Sequence, residues 1–216
     1  MEEIIRMIST YGLALVISAF VIYWAHTFAT DFREERKERN GRQKHNAEID
    51  LRIQVNNLVS GILDRTILRT HSDRAYVFEF HDGDTKTNLS GLPFLKMSCT
   101  YESIGPYAKT EIHRRQGMPF QMYQSFITAI YSKDYLVLDV DHRTAEYAPL
   151  IYETLNERDI GITLRTKITD TSLKVIGYLG IDFCSGNPVT REAVEKCADM
   201  LLATAKEIGA LLSVSK

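Results

Sequence analysis

The first 30 residues contain the longest uncharged run of the chain. Between Arg6 and Asp31 lie 24 residues without Asp, Glu, Lys or Arg, and a Tyr-Trp pair lies toward the C-terminal end of the run. As a helix this segment is roughly 36 Å long, enough for a bilayer core of about 30 Å. The acidic start and the lack of an A-x-A site argue against a cleaved signal peptide. The pattern predicts a short polar N-terminus over 1–6 and a transmembrane helix over 7–30.

Basic residues are concentrated on the C-terminal side of this segment. One Arg precedes the uncharged run, and six basic residues follow it. Because cytoplasmic flanks carry an excess of Lys and Arg, we expect a single-pass protein of the bacterial inner membrane with its soluble domain in the cytoplasm. Three cysteines that remain reduced are consistent with the cytoplasm. The basic residues are Arg33, Arg36, Lys37, Arg39, Arg42 and Lys44.

Residues 31–70 predict a helical stalk that is first charged and then amphipathic. In the second half the apolar positions follow a 4-3-4 spacing, which is typical of a coiled-coil seam. We expect this seam to pair two copies in parallel, although the same stripe could instead pack on the domain that follows. The seam consists of Leu51, Val55, Leu58 and Ile62, and a neighbouring stripe consists of Val59, Leu63 and Ile67.

Residues 71–216 predict one α+β domain, an antiparallel sheet covered by helices. Strands are expected where β-branched and aromatic residues cluster or alternate, at 74–80, 94–104, 135–140, 161–169 and 173–183, the last two forming a hairpin. Helices are expected at 119–130, 146–158 and 190–212, with Thr190 as the cap of the last helix. The segment 81–93, which contains two glycines and ends on a proline, predicts a turn-forming loop.

Composition excludes several functions. With 26 basic and 28 acidic residues the net charge is -2, so a chain devoted to nucleic acid is not expected. The three cysteines are not spaced as CxxC, which argues against a disulfide scaffold and a thiolate zinc site. No nucleophile-elbow, phosphate-loop, zincin or dinucleotide motif is present. We therefore expect no enzymatic activity, no catalytic residues, no metal and no cofactor.

The densest polar cluster predicts a small-ligand site. His81, Asp82 and Asp84 follow the first predicted strand, and Asn88 lies in the loop behind them. Such residues at a strand end can bind a ligand, and they also suit a turn that bonds its own backbone. A hydrolase using His81 and Asp82 is a further alternative. Rings with a polar tip line ligand pockets, which adds Tyr101 and Tyr123 to the candidate set.

The order of elements over about residues 50–214 resembles the GAF/PAS class of sensor domains. The resemblance depends on the closing strand VIGYLGIDF and on the helix after Gly186. It implies a signalling module that binds a small ligand or a regulatory protein. In that class the last helix pairs with the first, which implies a homodimer or a higher homo-oligomer acting by assembly.

The layout of the whole chain is also similar to the T-even phage holin. The residues that match are Gly177–Phe183, Asn187, Thr190 and the pair Cys197-Ala198. This resemblance implies oligomerisation in the inner membrane that times host lysis, with a periplasmic domain bound by an inhibitor. That family joins its final-helix cysteine to a cysteine in a preceding strand, and here 161–169 has none. The sensor and holin interpretations predict opposite topologies.

Overall fold

The computed structural model describes residues 1–87, 93–106, 108–140 and 149–214. The chain divides into two units, 1–51 and 52–216. Helix α1 (Glu2–Thr70) supplies the first unit and the opening residues of the second. The predicted stalk over 31–70 is helical throughout.

In the first unit many large apolar and aromatic side chains are exposed. Thr27 and Thr30 bond back to carbonyls one turn earlier, as isolated polar residues in an apolar helix do. Among the residues described, no helix has an apolar stretch of the length that crossing a bilayer requires. The exposed side chains are Tyr11, Phe20, Val21, Ile22, Tyr23, Trp24, Phe28 and Phe32.

The second unit is an antiparallel sheet with helices. The strands are β1 (Arg74–Thr87), β2 (Pro93–Ile104), β3 (Met118–Pro119), β4 (Tyr135–Asp139), β5 (Ile160–Thr169) and β6 (Val175–Cys184). The further α-helices are α2 (Gln124–Ser132), α3 (Pro149–Glu157), α4 (Arg191–Glu195) and α5 (Ala198–Val214). Two 3-10 segments lie at Ile112–Arg114 and Phe120–Tyr123.

The strand order in the sheet is β3-β2-β1-β6-β5-β4, and every neighbouring pair is antiparallel. The predicted α+β class and the β5–β6 hairpin are therefore confirmed. Asp170 holds the hairpin turn, because its carboxylate accepts from the backbone N–H groups of Ser172 and Lys174. Strands β1 and β6 occupy the centre of the sheet.

One face of the sheet, the outer face, is covered by α5 and by α1 from residue 52 onward. Val59 and Leu63 of α1 are fully buried, and Asn56 accepts a 2.7 Å hydrogen bond from the Tyr101 hydroxyl. Helix α5 lies against β5 at Gly209, where an added Cβ would fall 2.1 Å from the Thr169 carbonyl oxygen. The apolar face of α5 consists of Leu201, Ala205, Ile208 and Leu212.

The predicted seam is divided between two environments. Val55 and Ile62 are 4% exposed within the single chain, whereas Leu58 is 54% exposed and Leu51 is half-buried. The alternative, that the stripe packs on its own domain, therefore holds for Val55 and Ile62. These two side chains are not available to a second copy.

Three predicted elements change. The first part of the segment predicted as a loop is strand, because β1 continues to Thr87 and His81 pairs with Lys96, whereas residues 88–92 of that segment lie outside the described residues. The predicted helix 119–130 begins with a 3-10 segment, and the last helix is split into α4 and α5. The Thr190 cap is confirmed, since its hydroxyl accepts from the Ala193 N–H at 3.3 Å.

Replacing Gly209 by Ala tests the close approach of α5 to β5. Alanine favours a helix by up to about 1 kcal/mol over glycine, yet we expect a loss of about 1–3 kcal/mol in unfolding free energy because the new methyl group meets backbone. Urea unfolding of the full chain measures this loss. The control is Gly186→Ala, where nothing lies within 4 Å of the added methyl group. Equal stability of the two variants would contradict the packing described.

Candidate functional site

The other face of the sheet, the inner face, is covered by α2, α3 and the 3-10 segments. Tyr76 and Phe78 of β1 and Tyr178 of β6 point to this side, and the rings of Phe78 and Tyr178 stack at 4.7 Å. Phe126 meets Tyr178 edge to face at 5.3 Å. The buried residues that complete this core are Met97, Cys99, Ile127, Ile130, Ile151, Leu155 and Ile160.

A carboxylate lies in the middle of this face. Asp182 of β6 is fully buried, and its Oδ1 accepts hydrogen bonds from Tyr76 at 2.9 Å and from Thr163 at 2.7 Å. Its Oδ2 lies 3.2 Å from a nitrogen of Arg74 and 3.8 Å from one of Arg115. Gly180 makes room for this arrangement, because a Cβ there would lie 2.5 Å from the Tyr76 ring.

Arg74 is fully occupied by its partners. Besides Asp182, its Nε lies 3.1 Å from Glu102 Oε1 as an ion pair that is not aligned as a hydrogen bond, and its Nη2 donates to the Lys109 carbonyl at 2.6 Å. The other Glu102 oxygen accepts from Thr110 and from two backbone N–H groups. Arg74 is thus paired with two carboxylates, although its Nε and Glu102 Oε1 make no aligned hydrogen bond.

Arg115 and Arg165 are less well paired. Arg115 is 3% exposed, stacks over the Tyr76 ring at 4.9 Å, and has an Nε without a hydrogen-bond partner. Arg165 is 5% exposed and lies over the Phe126 ring at 4.8 Å. Its Nε donates to the Thr163 hydroxyl at 3.3 Å, and no carboxylate of the described residues forms an ion pair with it. Aromatic faces stabilise a guanidinium by about 1–2 kcal/mol, which is less than burial of an unpaired charge costs.

A third arginine joins these two around a small cavity, which we call the arginine cavity. Arg158, directly after α3, is 3.8 Å from Glu111, and burial together with the Arg115 charge lowers the pKa of Arg158. The cavity volume is about 20 Å³, space for about one water molecule. Its lining consists of Arg115, Arg158, Arg165, Tyr123, Thr154 and the apolar or aromatic side chains Tyr76, Phe78, Met97, Met118, Ile151 and Tyr178.

The charges of this region do not cancel. Among the buried and half-buried side chains described here, four arginines face three carboxylates. The arginines are Arg74, Arg115, Arg158 and Arg165, and the carboxylates are Glu102, Glu111 and Asp182. Burial alone would raise the pKa of Asp182, but Arg115, Arg165, Arg74 and the Thr163 hydroxyl together bring it below the ordinary value. The carboxylate is therefore ionised, and one positive charge is left over.

Of the six predicted ligand residues, the three whose side chains are described lie in different places. His81 Nε2 lies 2.8 Å from the Ser98 hydroxyl near the end of β1, and Tyr101 belongs to the outer face, opposite Val77 in the register. Tyr123 alone lines the arginine cavity, and burial raises its pKa. The backbones of Asp82 and Asp84 are part of β1, their side chains lie outside the described residues, and so does Asn88.

Apart from Tyr123, the residues that line the cavity were not predicted as a site. Asp182 offered a signal, since a carboxylate inside the apolar run GYLGIDF requires a buried partner. No sequence signal indicated that Arg165 is buried, because it alternates with Leu164 and Thr166 as a solvent-facing residue would. In the structure both faces of β5 are covered, so Arg165 points into the core.

Two larger depressions do not show the excess of positive charge that marks the arginine cavity. A groove of about 640 Å³ is lined by Asp73, Cys184 and Asn187 among others, but Asp73 already accepts from the Cys184 N–H and the Asn187 amide. An open depression of about 440 Å³ surrounds Tyr101. Within the described ranges no three His, Cys, Asp or Glu side chains are close enough to share a metal ion. We therefore take the smaller arginine cavity as the candidate site.

Comparison with known proteins supports the fold. No protein-family model and no curated protein matches the chain. Among solved structures, the photoproduct state of GAF3 from Slr1393 of Synechocystis is similar with a TM-score of 0.53 and 15% identity over 74% of this chain and 94% of that one. The blue-light absorbing form of the Thermosynechococcus elongatus PixJ GAF domain is similar with a TM-score of 0.53 and 10% identity, over 74% of this chain and 87% of that one.

A phycocyanobilin-bound GAF domain from a cyanobacterial phytochrome gives a TM-score of 0.52 and 14% identity, over 80% of this chain and 92% of that one. The second unit thus has a GAF-like fold. A bilin does not fit the inner face described here, because pockets for ligands of that size measure about 300–1,000 Å³ and the arginine cavity measures about 20 Å³. Aromatic side chains fill the remaining space.

Replacing Asp182 by Asn removes the shared partner of two buried arginines. We expect a loss of about 3–5 kcal/mol in unfolding free energy, as for other broken buried pairs. The wild-type contribution is complete above the unfolded pKa of about 4 and is lost as the pH falls through the lower folded pKa. Urea unfolding at neutral and acid pH measures both effects.

The matched control is Asp134→Asn, because the Asp134 carboxylate is 82% exposed and its ion pair with Lys167 is worth little. An unchanged stability of Asp182→Asn, or an acid transition identical to that of the wild type, would show that Asp182 does not hold the cluster together.

Proposed function

We propose that the chain is a membrane-anchored, GAF-like module that binds a small ligand at its inner face and signals by self-association. The GAF-like fold with an arginine-lined cavity between sheet and α3 is the observation that carries the binding role. Structural relatives of this fold include a domain whose name states a bound chromophore. In this proposal the chain acts by binding rather than by catalysis.

Membrane anchoring is supported by the 24-residue uncharged run and by its exposed side chains. Phe20, Ile22, Tyr23 and Trp24 are each more than 60% exposed. A contiguous exposed apolar surface of this kind is unfavourable in water and marks an interaction site. Lipid is the partner that the length of the run and the Tyr-Trp pair favour.

Carbonate extraction of cell membranes tests the anchor. We expect the full chain to remain in the membrane pellet. Val16→Lys combined with Phe20→Lys places two charges mid-helix at about 2.5–3.5 kcal/mol each, and should move the chain to the soluble or aggregated fraction. Asn46→Lys with Gln54→Lys is the control, because both positions are exposed and polar. Recovery of the unaltered chain in the soluble fraction would refute the anchor.

The cysteines report the side on which the domain lies. Cys184 and Cys197 are half-buried, whereas Cys99 is buried and burial raises its pKa to about 12. In spheroplasts we expect a membrane-impermeant maleimide to leave Cys184 and Cys197 unlabelled until the membrane is opened. Labelling of intact spheroplasts would place the domain in the periplasm, as the holin interpretation requires.

Self-association is proposed to use the exposed side of α1. Leu58 and Ile53 are more than half exposed, while Val55 and Ile62 are already buried. We expect Leu58→Asp to lower the dimer fraction of the detergent-solubilised chain, measured by cross-linking or mass photometry. The adjacent Asn57→Asp introduces the same charge without removing apolar surface and should leave the dimer fraction unchanged. A wild-type chain that is monomeric at all concentrations would rule out this part of the proposal.

A further inference from the structure

The arginine cavity carries a positive charge that the described carboxylates leave uncompensated. Arg165 forms no ion pair closer than 4 Å with a described carboxylate, although it shares the charge of Asp182 with Arg74 and Arg115, and Arg115 has a buried Nε without a hydrogen-bond partner. Arg158 is the third guanidinium, and its ion pair with Glu111 is long at 3.8 Å. Buried charges in proteins are normally paired, so three incompletely neutralised arginines around one cavity are an arrangement that a negative charge would stabilise.

We propose that the arginine cavity binds one small anion, a halide or the carboxylate group of a small acid, held by Arg115, Arg158 and Arg165. The inference rests on the proposed function, because it names the chemical class of the ligand at the same site. Guanidinium groups present several N–H donors in a plane that matches a carboxylate. Tyr123 and Thr154 contribute further polar side chains to the cavity lining.

The size of the cavity limits the ligand. A volume of about 20 Å³ accommodates a monatomic anion or a single carboxylate oxygen with little rearrangement. Phe78, Met97 and Tyr178 contribute to the apolar part of the wall. Because the surroundings are of low dielectric, one negative charge here interacts with the arginines far more strongly than it would in bulk water.

Calorimetry of the full chain in a non-ionic detergent tests the proposal. The thermal midpoint is measured at constant ionic strength while sodium chloride, sodium acetate or sodium phosphate replaces the sodium salt of a bulky sulfonate, the reference salt, whose anion is neither a halide nor a carboxylate. We expect a saturable rise of about 2–4 °C in chloride or acetate. A response to chloride identifies a monatomic anion, and a larger response to acetate identifies a carboxylate. A response to phosphate alone overturns the proposal, because it points to neither of these anions.

Substitutions assign the effect to the cavity. Arg165→Met roughly keeps the side-chain volume and removes one of the three cavity charges, so it should abolish the chloride or acetate shift. Arg158→Gln is the second variant, used should Arg165→Met fail to fold, because Arg158 is less buried. Arg114→Gln is the control, since that side chain is 80% exposed and does not line the cavity.

The proposal is overturned if the wild type melts at the same temperature in all salts, or if Arg165→Met and Arg158→Gln keep the full shift. Membrane extraction and the dimer fraction are measured on the same preparations. If these remain as expected while the anion shift is absent, the ligand class is wrong and the anchored, self-associating module stands. If the chain is soluble or monomeric while the anion shift persists, the ligand class stands and the anchored, self-associating module is wrong.

Discussion

The buried carboxylate of Asp182 is the group on which the inner face depends. It joins β6 to β1 through Tyr76 and Arg74, to β5 through Thr163, and to the segment before β3 through Arg115. Removing an ion from water costs several kcal/mol unless charged partners and hydrogen bonds replace the hydration. Here four groups do so at once, and the arginines keep the carboxylate ionised. The same arginines then bring more positive charge into the core than one aspartate neutralises.

The sheet is built to admit this cluster. At Gly177 an added Cβ would lie 1.9 Å from the Phe78 carbonyl, so glycine lets β6 and β1 approach closely. Gly180 does the same for the Tyr76 ring, whose hydroxyl reaches Asp182. Two glycines in one strand would otherwise weaken it. Their positions indicate that close packing around the aromatic and charged core outweighs the loss of strand propensity.

Much of the fold could be predicted from the sequence, because local patterns decide it. The β5–β6 hairpin, the Thr190 cap and the α+β class follow from alternation, turn residues and capping. The site could not be predicted in the same way, since Arg115, Arg158 and Arg165 come from three separate elements and converge only when both faces of the sheet are covered. Period-two alternation assigns Arg165 to solvent, and α2 and α3 reverse that assignment. The predicted cluster at His81 rests on residues close in sequence and stays a prediction, whereas the cavity is assembled from residues far apart.

The GAF-like fold assigns no ligand and no residue roles to this chain, because structural similarity at 10–15% identity shows the fold alone. The charge balance of the cavity supplies the missing chemistry. The most direct measurement is an anomalous difference map from crystals of the protein grown in sodium bromide. The account predicts a bromide peak between the guanidinium groups of Arg115, Arg158 and Arg165. A cavity that shows only water, or a carboxylate of the chain itself seated among these three arginines, would contradict it.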